Sequence, residues 1–162
     1  MIKRLFLAMA LLGLFSVCHA QADSNPAMPK GKLLRLEYSY GGMMMPVYGD
    51  FILKRSAETG ESDFRFLHYN KEVFTKDVPD SVFTAASRII EEERMYEFAS
   101  SYGLPPELEE GMLDGFSWRF EAYFENGEHL SSHGSHVMPE GNGLRRLEDL
   151  LSDAACVSLN GK

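Results

Sequence analysis

The chain has 162 residues, 44% of them hydrophobic, and its 24 acids outnumber its 16 bases to give a formal net charge of −8. That length suits one domain with a single core, and the acidic balance argues against nucleic acid or an anionic lipid surface as partner. Only two cysteines are present, Cys18 and Cys156.

Residues 1–22, MIKRLFLAMALLGLFSVCHAQA, place Lys3 and Arg4 ahead of an apolar run from Leu5 to Val17, followed by small residues. This is the pattern of a secretory signal peptide, and the run falls short of the roughly 20 apolar residues that span a bilayer. Ala20 and Ala22 form an A-x-A pattern, which puts cleavage after Ala22, with Ala20 as the other option. Lipidation of Cys18 is an alternative that would anchor the protein, but Val17 is larger than the residue such processing favours. The expected product is periplasmic or secreted, without an integral membrane segment. Losing two bases and no acid takes its net charge from −8 to −10. It keeps Cys156 alone, so no intramolecular disulfide forms and the core holds by burial.

Residues 23–32, DSNPAMPKGK, lack apolar periodicity and read as a flexible tether to one globular domain over residues 33–159. LLRLEYSY alternates Leu34, Leu36, Tyr38 and Tyr40 against Arg35, Glu37 and Ser39, the period of a half-buried strand. DFILKR, DFRFLHY and EVFTKDV follow across turn-rich joints and complete an antiparallel meander. Pro79 opens a helix expected over Ser81–Met95, with Val82, Ala86, Ile89 and Ile90 at helical spacing. SSYGLPPELEEGMLDG, with Pro105 and Pro106, is expected to be a loop or lid. FSWRFEAYF turns Phe116, Trp118, Phe120, Ala122 and Phe124 to the core. The ENG turn then admits two registers. A two-residue turn would bury His129 and His133, whereas a three-residue turn with Gly127 left-handed sets Leu130 beside Ala122 and keeps both histidines in water; burial of Leu130 favours the second. A last helix is expected over Gly143–Ala154, after an Asn142 cap, with Leu144, Leu147, Leu151 and Ala154 in one stripe. The fold class is therefore α+β: one antiparallel sheet of about six strands, with two helices on one face.

EHLSSHGSHVMP carries three of the five histidines, at 129, 133 and 136. On a straight strand His129 and His133 stand roughly 13 Å apart at about 3.3 Å per residue. Zinc ligands must each reach to about 2.0–2.1 Å, so that pair does not converge. His133 and His136 converge only if the chain bends at Gly134. Met43, Met44 and Met45 are soft ligands of the kind Cu(I) favours, but three consecutive side chains do not share one direction. A copper or zinc site using Met43, Met44, Met45, His133 and His136 is thus the alternative reading, and no cofactor is expected. There is no H-E-x-x-H, phosphate loop or G-x-S-x-G elbow, Cys156 sits among apolar neighbours, and Glu107, Glu109, Glu110 and Asp114 lack calcium-loop spacing. Hydrolysis is a third reading without assigned roles.

DGFSWRFEAYFENGEHLSSHGS, with YSYGGMMMP and the amphipathic last helix, resembles a loose group of small exported or lipoprotein-type proteins of gut bacteria, over most of Leu33 to Ala155. That group has no established activity. The resemblance implies an exported α+β domain and assigns no catalytic residue. The reading is a non-enzymatic exported domain that binds a protein, peptide or glycan of the cell envelope, with Tyr48, Tyr102, Arg119, Tyr123, His133 and His136 as candidate contacts. A pocket is expected between the GGMMMP loop, the Pro105–Asp114 loop and the HGSH segment.

Overall fold

The computed structural model describes residues 26–42, 49–68, 71–105 and 115–160. Alternating strands need a partner surface for their apolar side, and here seven of them share one sheet. These are β1 (Leu33–Gly42), β2 (Gly49–Arg55), β3 (Ser62–His68), β4 (Lys71–Lys76), β5 (Ser101–Tyr102), β6 (Phe116–Phe124) and β7 (His129–Ser135). Their spatial order is β4-β3-β2-β1-β6-β7-β5. The first four form the expected meander, and β6 adds to the free side of β1. Two helices complete the fold, α1 (Asp80–Glu92) and α2 (Gly143–Asn160).

One sheet face supplies Leu36, Tyr38, Phe51, Leu53, Phe64, Phe120 and Ala122 to the core, and the helices answer with Phe83, Ala86, Ile90, Leu147 and Leu151. Both helices therefore lie on the same face. Arg146 of α2 ties them together at their ends, reaching Glu93 and Glu92 at 2.7 Å each. No described helix covers the opposite face.

The expectation of six strands, all antiparallel, needs correction. Residues 101–102 fell inside the stretch expected to be irregular, yet they pair in parallel with β7. Two bonds hold the chain there: Ser132 Oγ donates to the Ala99 carbonyl at 2.6 Å, and the His133 amide donates to Ser100 at 3.2 Å. A pairing two residues long leaves no periodicity to read.

In β1, Leu33 faces Phe124 and Arg35 faces Tyr123, so Leu34 is the extra residue of a bulge. The inward set therefore starts with Leu33, which is buried, and Leu34 is only half-buried. A bulge shifts alternation by one residue, and alternation alone gives no sign of it. Helix α1 stops at Glu92, before the expected end, because Arg94 adopts a left-handed conformation (φ 50°) and leads into a single 3-10 turn at Met95–Glu97. Glycine usually fills that position; here Arg94 Nε bonds Glu97 at 2.8 Å. Helix α2 runs six residues past the expected Ala154, to Asn160. Residues 28–32 do not behave as a tether. Met28 packs on the core, Pro29 is buried, the Lys30 amide donates to Glu128 at 2.8 Å, and the Lys32 carbonyl accepts from Glu125 at 2.9 Å.

The β6–β7 hairpin takes the three-residue turn. Gly127 has φ 84°, the Phe124 amide donates to Glu128 at 3.0 Å, and Ala122 stands opposite Leu130. Leu130 is half-buried and packs against the core.

Candidate functional site

The uncovered face can be laid out from the strand registers. One rank runs Asp63, Lys54, Arg35, Tyr123, His129 from β3 to β7; the next runs Phe74, Arg65, Ile52, Glu37, Glu121, Ser131 from β4 to β7. A third runs Leu67, Asp50, Ser39, Arg119, His133, and a short fourth holds Gly41, Ser117 and Ser135.

Most of this face is locked by ion pairs. Lys54 meets Asp63 at 3.3 Å and Arg65 meets Glu72 at 2.6 Å. Glu37 and Glu121 stand directly opposite one another, which would be repulsive if unscreened. Arg35 pairs with Glu37, and Arg119 pairs with Glu121, its Nε at 2.8 Å from Oε1. The Tyr123 hydroxyl donates to the other Glu121 oxygen at 2.5 Å. The His129 ring stacks on Tyr123 with centroids 4.2 Å apart. These neighbours leave Glu121 only 6% exposed although no described helix covers it. Burial pushes its carboxyl upward, but the bonds from Tyr123 and Arg119 outweigh that and hold it below the ordinary glutamate range.

At the β1–β2 and β6–β7 end the pairing stops. A cleft of about 540 Å³ opens there, lined among others by Ser39, Asp50, Ser117, Arg119, His133 and Tyr102. Gly41, Gly49 and Gly103 also border it, so it sits at the roots of the two loops expected to flank a pocket, and His133–Ser135 supply the third side. Residues 43–48 and 106–114 lie outside the described residues. The shape of this end depends on rings lying over glycines. A Cβ on Gly134 would come within 2.4 Å of Trp118 Nε1, and one on Gly49 within 2.5 Å of the Tyr40 ring. Trp118 is anchored in turn by donating Nε1–H to the Val137 carbonyl at 2.7 Å.

Of the residues singled out from sequence, Tyr102, Arg119 and His133 are brought together at the cleft. Tyr102 is half-buried, packs at 5.6 Å from Trp118 and accepts a bond from the Ala99 amide at 3.1 Å. Tyr123 stands away from the cleft, within the Glu121 cluster. His136 follows β7 with φ 62° and is not among the cleft's lining; its ring lies so close to Gly115 that a Cβ there would be 1.8 Å from Nε2. Tyr48 and Met43–Met45 fall outside the described residues. Asp50, Ser39 and Ser117 were missed, because an outward Ser or Asp on a strand looks like any solvated residue until its cross-strand neighbours are known.

Among the described residues, no group of three or more His, Cys, Asp or Glu is arranged to hold a metal ion. Ser135 Oγ lies 2.8 Å from His136 Nδ1, but no described acid orients the far side of that ring. The geometry supports binding through hydrogen bonds more directly than it supports a nucleophile with its base. Among the described residues no helix is long and apolar enough to cross a membrane. No family model, curated protein or solved structure matches this chain.

Proposed function

We propose that this protein is an exported, non-catalytic binding domain that holds part of a peptide, protein or glycan partner of the cell envelope in the cleft. The observation that carries the reading is the cleft itself: about 540 Å³, set at one end of a sheet face that no described helix covers. That volume falls within the roughly 300–1,000 Å³ usual for ligand sites. Polar side chains from β1, β2, β6 and β7 line the cleft, which suits a site that fixes orientation by hydrogen bonds. Export rests on the composition of residues 1–22, which places two bases before a short apolar run.

The test is to screen the exported protein against peptide and glycan arrays, beside Arg119→Ala, His133→Ala and the remote Arg65→Ala. Binding lost in the first two and kept in the third supports the cleft. Equal binding by all three would place the partner elsewhere. The intact mass of the exported protein tests processing, with Asp23 expected as the first residue.

A further inference from the structure

On the uncovered face, Arg35, Glu37, Lys54, Asp63, Arg65, Glu72, Arg119 and Glu121 are all ion-paired, and Tyr123 and His129 bond or stack within the same network. Among the described residues, the side chains of Asp50 and His133 stand outside it, and both line the cleft. Ser39, beside Asp50 in the third rank, and Ser117, in the fourth, likewise contact no described side chain through a hydrogen bond and also line it. Among the described residues of this face, the remaining charges are matched to one another.

We propose that the cleft binds a neutral saccharide through its hydroxyl groups, an inference that rests on the cleft being the binding site. Asp50 accepts only, the serine hydroxyls donate and accept, and His133 does either according to tautomer. Arg119 spends Nε and Nη2 on Glu121, which leaves Nη1 as a donor. A polyhydroxylated ring matches such a mixed set because each of its hydroxyls both donates and accepts. An anionic ligand meets the unpaired Asp50 carboxylate and a chain of net charge −8. A cationic ligand would be drawn by those same charges, since Arg119 is already paired with Glu121, and the trilysine arm of the experiment separates that case from a sugar. Tyr102 borders the cleft at the end of the sheet, with its ring packed on Trp118 and Phe98 on the core side. Asp50 to His133 crosses four adjacent strands, roughly 14 Å at about 4.8 Å per strand, which is longer than one sugar ring and calls for a short oligosaccharide.

The experiment is amide NMR of the ¹⁵N-labelled exported protein titrated separately with neutral trisaccharides (maltotriose, cellotriose, fully N-acetylated chitotriose), with trigalacturonate and with trilysine. At least one neutral trisaccharide is expected to move the amides of Ser39, Asp50, Ser117 and His133. Asp50→Asn, whose parent side chain bonds nothing in the described fold, should retain the spectrum and weaken that binding at least tenfold, and Arg65→Ala should leave it unchanged. If only trilysine or trigalacturonate moves those amides, the saccharide inference is overturned while the cleft keeps its binding role. If none of the probes moves them, the saccharide inference is overturned, and the arrays separately decide whether the cleft binds anything. Equal neutral-sugar binding by wild type and Asp50→Asn also overturns it.

Discussion

Gly134 shows how a single missing Cβ shapes this protein. Trp118 is 3% exposed and lies across that glycine, so a methyl group there cannot be absorbed by a flexible tip. Gly134→Ala should displace the indole and weaken its bond to Val137, costing about 1–3 kcal/mol, the range for overpacking a filled core. Thermal melts against wild type measure this, and an unchanged midpoint would show that the ring yields freely. Glu121 makes a different residue-scale prediction. Its folded-state value lies below the ordinary 4.5, so its stabilisation is complete above that pH and is lost as pH falls beneath it through the folded value. Glu121→Gln should therefore be less stable than wild type at pH 7, and the gap should narrow by pH 3 in urea titrations. Glu93 and Glu128 are lowered in the same manner, by Arg146 and Asn126 respectively, so part of the acid sensitivity will remain.

At the scale of elements, the β6–β7 hairpin is where turn chemistry and burial agree. Gly127 in the left-handed region sets the register, and the register puts Leu130 on the core side and His129 and His133 on the other. Leu130 is half-buried, so Leu130→Ala should cost about 1–2 kcal/mol, below the 2–5 typical of a leucine fully inside. His133→Ala should change stability by about 0.5 kcal/mol or less, since its ring is exposed and bonds nothing described. Paired melts of the two variants check both values, and a reversal of their order would contradict the register. The end of α1 is the opposite case. Ile89 and Ile90 continue the apolar stripe up to the stop, and Arg94 then reverses the chain with a side-chain bond standing in for glycine's conformational freedom.

For the whole molecule, the folded unit begins before its first strand. Met28 and Pro29 pack against the body, while Lys30 and Lys32 bond the hairpin turn. A chain starting at Met28 should melt like one starting at Asp23, and one starting at Leu33 should lose about 1–3 kcal/mol, the ordinary range for removing buried contacts and their hydrogen bonds. Chemical melts of the three chains decide the point; equal stability for all would return residues 28–32 to the role of a loose tether. The two-layer arrangement also accounts for the placement of charge. Helices cover one sheet face with apolar side chains, and the other pairs acids with bases across neighbouring strands.

Phe116, expected in the inward set of β6, stands 40% exposed at the start of the strand. The amino-acid sequence by itself determined the α+β class, the meander, the inward set Trp118, Phe120, Ala122 and Phe124 of β6, and the hairpin register. Each is a local signal: a period of two or 3.6, or a turn with glycine at the required place. Tertiary structure alone decided the bulge at Leu34, the stop at Arg94, the parallel pairing of Ser101–Tyr102 with β7, and the seating of Met28 and Pro29. It also decided the candidate site. Tyr102, Arg119 and His133 were visible as residues able to bind, but Asp50, Ser39 and Ser117 join them only because β1 lies between β2 and β6. Strand order brings together residues far apart in the chain, and no periodicity within a single strand records which neighbours it will have.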